Sequence, residues 1–342
     1  MSARPEKILA LQFKYLGDAV FITPALRALK EHRPDAELHV LVAAEVAPLL
    51  ENLPWIKKVW ALPRTRGKVR LRESWPLIRA LRREKFDRAV DFGGNDRGAI
   101  LSFFSGAKTR LGPVEKKKLL QTFCYTQTVS ADTLPPSWVQ RHLRLLSAWQ
   151  IPPPKSAHLE IAADTALAAE AAKLLPGGMI LCHLGTSQPR KEWPVARWQE
   201  FFRLAQAAGL ALAFSAGNNE RERSLLADLK KVEPEIFALP PIGDLNLFLA
   251  VLKRARLVIA GDTGPLHFAA GLGVPVIGLF GTADSLLRSA PIYEAGQIVK
   301  GGECFCDAKG LHSPNCEDAQ SCLAAIQPKQ VLAALPKAFT AK

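Results

Sequence analysis

Residues 256–281 read RLVIAGDTGPLHFAAGLGVPVIGLFG, and few arrangements accommodate such a stretch. Two short apolar runs rich in Val and Ile, each bounded by Gly, have the pattern of strands buried on both faces. Between them lie a tight turn and a short helix of small residues, with Pro265 where a first helical residue belongs because its missing N–H costs nothing there. The unit is therefore strand, turn, helix, strand. In an open parallel sheet that turn sits at the carboxyl edge, where ligands bind. The N–H groups of Thr263, Gly264 and Leu266 favour an anion such as phosphate. Asp262, however, places a negative charge at the same point.

The rest of the chain repeats the alternation. In the first half, strands are expected at KILALQF (7–13), ELHVLVA (37–43), KVWALP (58–63) and FDRAVDFG (86–93). Helices are expected at AVFITPALRALKEHRP (19–34), from VAPLLEN onward, and around 74–84. Strands separated by helices imply a parallel sheet with right-handed crossovers. The segment QIPPPKSAHLEIAADTALAAEAAKLLPGG (150–178), with three consecutive prolines and an Ala-rich stretch, reads as an interdomain linker. Beyond it the plan resumes with MILCHLG (179–185), PVARWQEFFRLAQAAG (194–209), LALAFSAG (210–217), NERERSLLADLKK (219–231) and LNLFLAVLKRA (245–255). The expected fold is α/β with two consecutive Rossmann-like domains, and there is no close internal sequence repeat. A chain of 342 residues is long enough for two such cores.

No apolar run approaches the roughly 18 residues of a membrane span. The N-terminal MSARPEKILALQF has no long apolar segment or small-residue cleavage site, which points to a cytoplasmic protein. The net charge of +13 is concentrated: residues 64–88 hold eight Arg and two Lys against three acids, and Lys116, Lys117 and Lys118 follow. Such a field is either a solvated helix face or an attractor of phosphates. With no zinc-finger, RRM or KH signature and no row of aromatics, a nucleic acid is not the expected partner.

Three turns at strand ends carry candidate chemistry. In KYLGDAVFITPAL (14–26), Gly17 frees the backbone and Asp18 opens a helix, as an N-cap, a functional carboxylate or both. In HLGTSQPRKEWPVARW (183–198), Thr186 and Ser187 offer hydroxyls, and Lys191 can meet a phosphate as a point charge. The third turn holds Asp262, Thr263, Gly264 and His267. No GxGxxG follows the first strand, and GxxxxGK[ST] and GxSxG are absent, which leaves dinucleotide dehydrogenases, P-loop enzymes and serine hydrolases unsupported.

KYLGDAVFITPALRALKEHRPDAELHVLV, GTSQPRKEWPVARWQEF, SAGNNERE and GDTGPLHFAAGLGVPVIGLFG occur in that order over almost the whole chain. Together they resemble the glycosyltransferase family 9 heptosyltransferases of lipopolysaccharide core assembly, nearest the type II and type III branches. The resemblance implies a GT-B fold with an acceptor-binding domain over 1–155 and a nucleotide-sugar domain over 156–327. It also implies a C-terminal helix, within 328–342, that crosses back to the first domain. The implied reaction transfers L-glycero-D-manno-heptose from ADP-heptose, with inversion, to the phosphorylated inner core of lipopolysaccharide, and requires no cofactor. By that likeness Asp18 is the general base and Lys191 offsets charge on departing ADP. Thr186, Ser187, Thr263 and Gly264 attend the diphosphate, His267 follows the DTG motif, and Glu220 is the ribose ligand, with Glu222 as the rival register. An ADP-sugar is both anion and polyol, so Asp262 is expected to accept hydrogen bonds from its turn or from a sugar hydroxyl.

The basic residues then acquire a partner. Arg64, Arg66, Lys68, Arg70, Arg72 and Lys116 to Lys118 are expected to attract phosphorylated acceptor and the anionic inner leaflet, making the protein peripheral at the inner membrane face. Cys304, Cys306, Cys316 and Cys322 form C-x-C-x9-C-x5-C, which lacks the paired knuckles of common zinc sites. Free thiols, a disulfide or a structural zinc fit that spacing, and no catalytic metal is expected. Two other readings stay open: a transferase of the same fold using another nucleotide sugar for cell-surface glycan, and a non-catalytic membrane-associated binding protein.

Overall fold

The computed structural model describes residues 4–13, 16–63, 71–116, 118–281, 287–289, 296–301 and 323–336. It divides into two compact units, Met1–Ala162 and Ala163–Lys342.

The first unit runs β1 (Lys7–Gln12), α1 (Leu16–Phe21), α2 (Thr23–His32), β2 (Glu37–Ala43), β3 (Lys58–Leu62), α3 (Leu71–Glu84), β4 (Arg88–Asp91), α4 (Asp96–Phe104), β5 (Thr109–Val114), α5 (Leu119–Cys124), β6 (Gln127–Ser130) and α6 (Trp138–Leu146). The second runs α7 (Ala168–Leu174), β7 (Ile180–His183), α8 (Val195–Ala207), β8 (Leu212–Ser215), α9 (Glu220–Val232), β9 (Phe237–Ala238), α10 (Leu245–Arg254), β10 (Leu257–Gly261), α11 (Gly264–Gly271), β11 (Val276–Phe280), β12 (Gly296–Lys300) and α12 (Pro328–Ala333). Each unit has one six-stranded sheet, ordered β3-β2-β1-β4-β5-β6 and β12-β11-β10-β7-β8-β9. Every strand pair is parallel. Counted from its own first strand, the second sheet has the order of the first, the doubly wound order of nucleotide-binding sheets. The two halves thus share a topology without a detectable sequence repeat.

Burial follows from that layering. Strands β7, β8, β10 and β11 are buried at every position, as expected when helices cover both sheet faces. In the first unit Leu9, Leu11, Trp60, Leu81 and Phe86 share one core cluster. In the second, Trp193, Trp198, Phe201 and Phe214 stack edge to face or tilted at centroid distances of 4.8–6.4 Å.

The prolines correct two helical expectations. The helix expected over 19–34 is two helices, divided at Ile22, with Pro24 in the first turn of the second. The helix expected from VAPLLEN is a short 3-10 turn, Ala44–Leu49, with Pro48 inside it. A proline ring clashes with the carbonyl four residues back in an α-helix and removes an N–H donor.

The linker also begins later than its prolines suggest. Ile151, Leu159 and Ile161 are buried, and the contact boundary falls after Ala162. Glu160 anchors this segment to the first unit. Its carboxylate accepts from Arg27 at 2.5–3.0 Å and from Trp55 Nε1 at 3.0 Å, and its N–H donates to Thr23 Oγ1 at 2.9 Å. The described part of the C-terminal helix seats in the second unit. Leu323, Ile326, Val331 and Leu335 join that unit's core, and Trp193 Nε1 donates to Ile326 O at 3.1 Å. These apolar residues find their complement on α8, and residues 337–342 lie outside the described ones.

Replacing Glu160 by Ala leaves Arg27 and the Trp55 indole without their acceptor. For a partly exposed charge-assisted pair this is expected to cost the first unit about 1–2 kcal/mol in urea unfolding. Proteolytic nicking within 151–162 should rise alongside, and an unchanged midpoint and nicking pattern would deny the segment its anchoring role.

Candidate functional site

At the carboxyl edge of the second sheet, β7 and β10 lie side by side in parallel register. The loops that leave them must therefore meet. Gly261 ends β10, and a Cβ placed on it would stand 2.7 Å from the Lys191 carbonyl oxygen. Its missing side chain lets the 3-10 turn Pro189–Lys191 approach. Lys191 Nζ then reaches Asp262 Oδ2 at 2.5 Å, while His267 Nε2 lies 3.3 Å from Asp262 Oδ1. One carboxylate thus engages a cation 71 positions earlier in the chain and a histidine on the first turn of α11.

The Asp262 side chain is 6% exposed and His267 is buried, whereas Lys191 keeps 28% of its side chain in solvent. Burial, the largest single influence, pushes the Asp262 carboxyl upward. The hydrogen bond and charge of His267, then those of Lys191, outweigh it and hold the group well below the ordinary carboxylate range. The Asp262 carboxylate holds two side chains, Lys191 and His267. At α11 itself, Thr263 is the extended N-cap residue and makes no capping bond through its hydroxyl. Pro265 follows in the first turn, so the opening N–H groups of the helix are presented at the same edge. Gly264 starts the helix, one residue before the Pro265 expected at that position from the sequence.

The loop after β7 is braced from α9. Arg221 pairs with Glu192 and donates to the Thr186 carbonyl, while Thr186 Oγ1 donates to Gln188 O at 2.6 Å. Thr186 is buried and Ser187 is exposed beside it. Glu220 stands exposed at the start of α9, whereas Glu222 is buried at the sheet edge. Glu222 Oε2 accepts from Gly217 N at 3.1 Å, and Oε1 accepts from Asn219 Nδ2 at 2.5 Å. Cβ atoms on Gly185 or Gly217 would fall 2.0 and 2.2 Å from Glu222 Oε2, so two glycines, each two residues beyond its strand (β7 and β8), make room for this carboxylate. Asn219 caps the helix by accepting from Glu222 N at 2.9 Å. An Asn with Glu three residues on is a capping pattern visible in the sequence, and it singles out Glu222.

His183 ends β7, with Nδ1 3.0 Å from Ser215 Oγ at the end of β8. Full burial pushes its pKa down to about 4, so the imidazole is neutral near pH 7. Sequence reading passed over this pair, as it passed over a buried network in the first unit. There Asp91, at the end of β4, accepts from Gly93 N at 2.8 Å and from the Tyr125 hydroxyl at 2.6 Å. A Cβ on Gly98 would lie 2.2 Å from Asp91 Oδ2, so the first turn of α4 rests directly on that carboxylate. Burial and then Asp91 raise the Tyr125 pKa far above its ordinary value, keeping the phenol a donor.

Asp18 is half-buried in the first turn of α1, at the carboxyl edge of the first sheet. The structure brings together Lys191, Asp262 and His267 at the start of α11, and places Glu222 with Gly185 and Gly217 on the same sheet edge. Of the basic residues, Lys116 and Lys118 are exposed, and Lys116 Nζ lies 3.6 Å from Asp132. Arg72 lies in α3. Arg64, Arg66, Lys68, Arg70 and Lys117 lie outside the described residues, as do Cys304, Cys306, Cys316 and Cys322. Among the described residues no His, Cys, Asp and Glu group has metal-holding geometry, and no helix is long and apolar enough to cross a membrane.

Comparison with known proteins reaches the same architecture. The family model described as glycosyltransferase family 9 (heptosyltransferase) matches residues 74–308. Lipopolysaccharide heptosyltransferase 1 of Campylobacter coli is 24% identical over 349 residues, covering 97% of this chain and 99% of that protein. The crystal structure of a family 9 glycosyltransferase from Veillonella parvula superposes with a TM-score of 0.81 at 19% identity, covering 98% and 97% of the two chains. E. coli heptosyltransferase WaaC, solved with ADP, gives 0.72 at 18% identity over 96% and 98%. The fold is GT-B.

Because the folded Asp262 carboxyl lies below its unfolded value of about 3.9, its pairing stabilises the protein above that pH. The contribution is lost as pH falls toward the lower folded value. The Asp262→Asn protein is expected to melt earlier than the parent at pH 7. The difference between the two should shrink as the pH is taken from 5 toward 3, read as paired thermal midpoints, and a constant offset would contradict the assignment.

Proposed function

Since the chain belongs to glycosyltransferase family 9 (heptosyltransferase), we propose that it transfers a heptosyl group from ADP-heptose to the inner core of lipopolysaccharide, with inversion. The observation that carries this reading is the Lys191–Asp262–His267 constellation at the opening of α11. It sets one partly exposed, tethered cation and a helix N-terminus beside each other on the sheet edge where nucleotides bind. The naming of the Campylobacter relative and the ADP in the E. coli structure support the donor.

In this reaction the acceptor hydroxyl attacks the anomeric carbon. The bond from that carbon to the diphosphate oxygen breaks, and ADP departs with the electron pair. Asp18 takes the hydroxyl proton as the new glycosidic bond forms, and one base is enough for a single inverting displacement. Lys191 and the N–H groups of Thr263 and Gly264 offset the charge growing on ADP. Asp262 and His267 position the Lys191 amine, leaving its remaining donors for phosphate oxygens. Ser187 extends the diphosphate contacts, while Thr186 shapes the loop that presents them. For the ribose the buried placement of Glu222 at the strand edges favours it over Glu220.

The acceptor carries phosphates and belongs to a membrane, and the exposed basic residues of the first unit suit both. We place the protein at the inner face of the inner membrane, held peripherally from the cytoplasmic side. No cofactor takes part in this scheme.

Asp18→Asn is expected to lower kcat by about 10²- to 10⁴-fold, the usual range for a general base. Its ADP affinity by calorimetry should stay within twofold, and full turnover in the variant would reject Asp18 as the base. A donor assay with ADP-heptose, GDP-sugars and UDP-sugars tests the sugar nucleotide itself. Glu222→Gln is expected to weaken ADP binding by about tenfold, the scale of one charged hydrogen bond. Glu220→Gln should leave it unchanged, and the reverse ranking would restore the other register.

A further inference from the structure

Helix α5 is amphipathic in the reverse sense. It buries Gln121 and Cys124 and turns its large apolar side chains outward, with Leu119 81%, Leu120 48% and Phe123 72% exposed. At spacings of one and four residues these three share a helix face. The face is held in place rather than frayed. Cys124 and Tyr125 pack on Ala99, the Tyr125 hydroxyl is tied to Asp91, and the Phe123 ring lies 5.6 Å from that of Phe103. Solvating so much apolar surface on one fixed turn is unfavourable, and such patches mark interaction sites.

The surroundings indicate what covers it. Residues 115–118 read EKKK and lead directly into the helix, with the Lys116 side chain 87% exposed and Lys118 exposed. Glu115, Asp132 and Asp96, whose Oδ1 accepts from Gln121 Nε2 at 2.8 Å, are the acids of this neighbourhood, and Arg110, whose Nε donates to Cys124 O at 2.7 Å, joins Lys116 and Lys118 on the basic side. Helix α4 packs against both α5 and α3, and the solvent face of α3 carries Trp75, Arg79, Arg82 and Arg83. An apolar wedge with a basic flank matches the interfacial zone of an anionic bilayer. A second copy of the chain fits less well, because a two-fold contact would set the lysine runs against each other.

We propose that α5 is a membrane-docking wedge: Leu119, Leu120 and Phe123 enter the headgroup–acyl boundary of an anionic bilayer while Lys116 and Lys118 lie among the lipid phosphates. The proposal deepens the lipid-borne acceptor of the proposed function, yet it rests on exposure and charge alone. Vesicle binding and donor use therefore fail separately.

The test uses the full chain in sedimentation with phosphatidylglycerol–phosphatidylethanolamine vesicles and with phosphatidylcholine vesicles. The wild type should bind the anionic vesicles preferentially. Changing Leu119, Leu120 and Phe123 together to Ser should cut binding at least tenfold. Lys116→Ser with Lys118→Ser should cut it several-fold and flatten its salt dependence. Both proteins should melt within about 2 °C of the parent, since surface changes of this kind seldom shift stability, and the triple-serine protein should turn over a water-soluble acceptor fragment at the parental rate. Phe123→Trp supplies a second readout, a blue-shifted difference emission quenched by brominated acyl chains. Equal binding by the serine protein, or no quenching of Trp at 123, would overturn the proposal. So would a wild-type dimer that the serine changes dissociate, because that result assigns the face to a second copy.

Discussion

The carboxylate of Asp262 sits at the positive end of a helix, which favours an anion, but it is almost fully withdrawn from water, which does not. It is tolerated there because it is doubly engaged, by Lys191 on one oxygen and His267 on the other. A buried carboxylate lacking such partners would be protonated, or would destabilise the fold by several kcal/mol. The engagement also fixes where a flexible lysine spends its time. A free ammonium on a four-carbon stem loses about 2 kcal/mol of rotamer entropy when a ligand immobilises it, and a lysine already held has less to lose. The site's geometry depends on this arrangement, which in turn depends on the absence of a side chain at Gly261.

The two units solve one folding problem twice. Each places six parallel strands in the same doubly wound order, and each brings loops to the carboxyl edge where strand direction and helix dipoles combine. Their edges differ in what fills them. The first is occupied by Asp91, committed to Tyr125 and to the first turn of α4, and by Asp18 on α1. The second has Glu222 seated between Gly185 and Gly217, past the ends of β7 and β8, and the Asp262 cluster at the end of β10, the neighbour of β7. A shared scaffold has thus been given two chemically distinct rims, one rich in carboxylates and one pairing carboxylates with cations.

Much of this was legible in the amino-acid order, and the illegible parts have physical reasons. Strands β1, β2, β7, β8, β10 and β11 announce themselves because parallel central strands are buried on both sides and must be apolar throughout. Strands β5, β6, β9 and β12 do not: TRLGPV, QTVS, FA and GQIVK mix polar residues, a proline or extreme shortness into positions away from the sheet centre, where solvent relaxes the requirement. Asp18, Lys191 and the DTG turn were visible as strand-end residues, but the union of Lys191 with Asp262 was not. They are far apart in the chain, and only the adjacency of β7 and β10 joins them. Glu222 was readable from its capping partner Asn219, a local signal that the run NERERS obscured.

Four residues near the end of the chain, Leu323, Ile326, Val331 and Leu335, complete an apolar core whose first strand begins at Ile180. A ribosome releases residues in order, about 5–20 each second, and domains settle as they emerge. The first unit, closed by Glu160, has all its parts in hand before the first strand of the second is made. Its successor must wait with Trp193 and α8 uncovered until residues 323–335 have emerged. The nascent protein thus passes through a stage in which one half is finished and the other exposes its aromatic interior, the interval in which a chaperone would have most to hold.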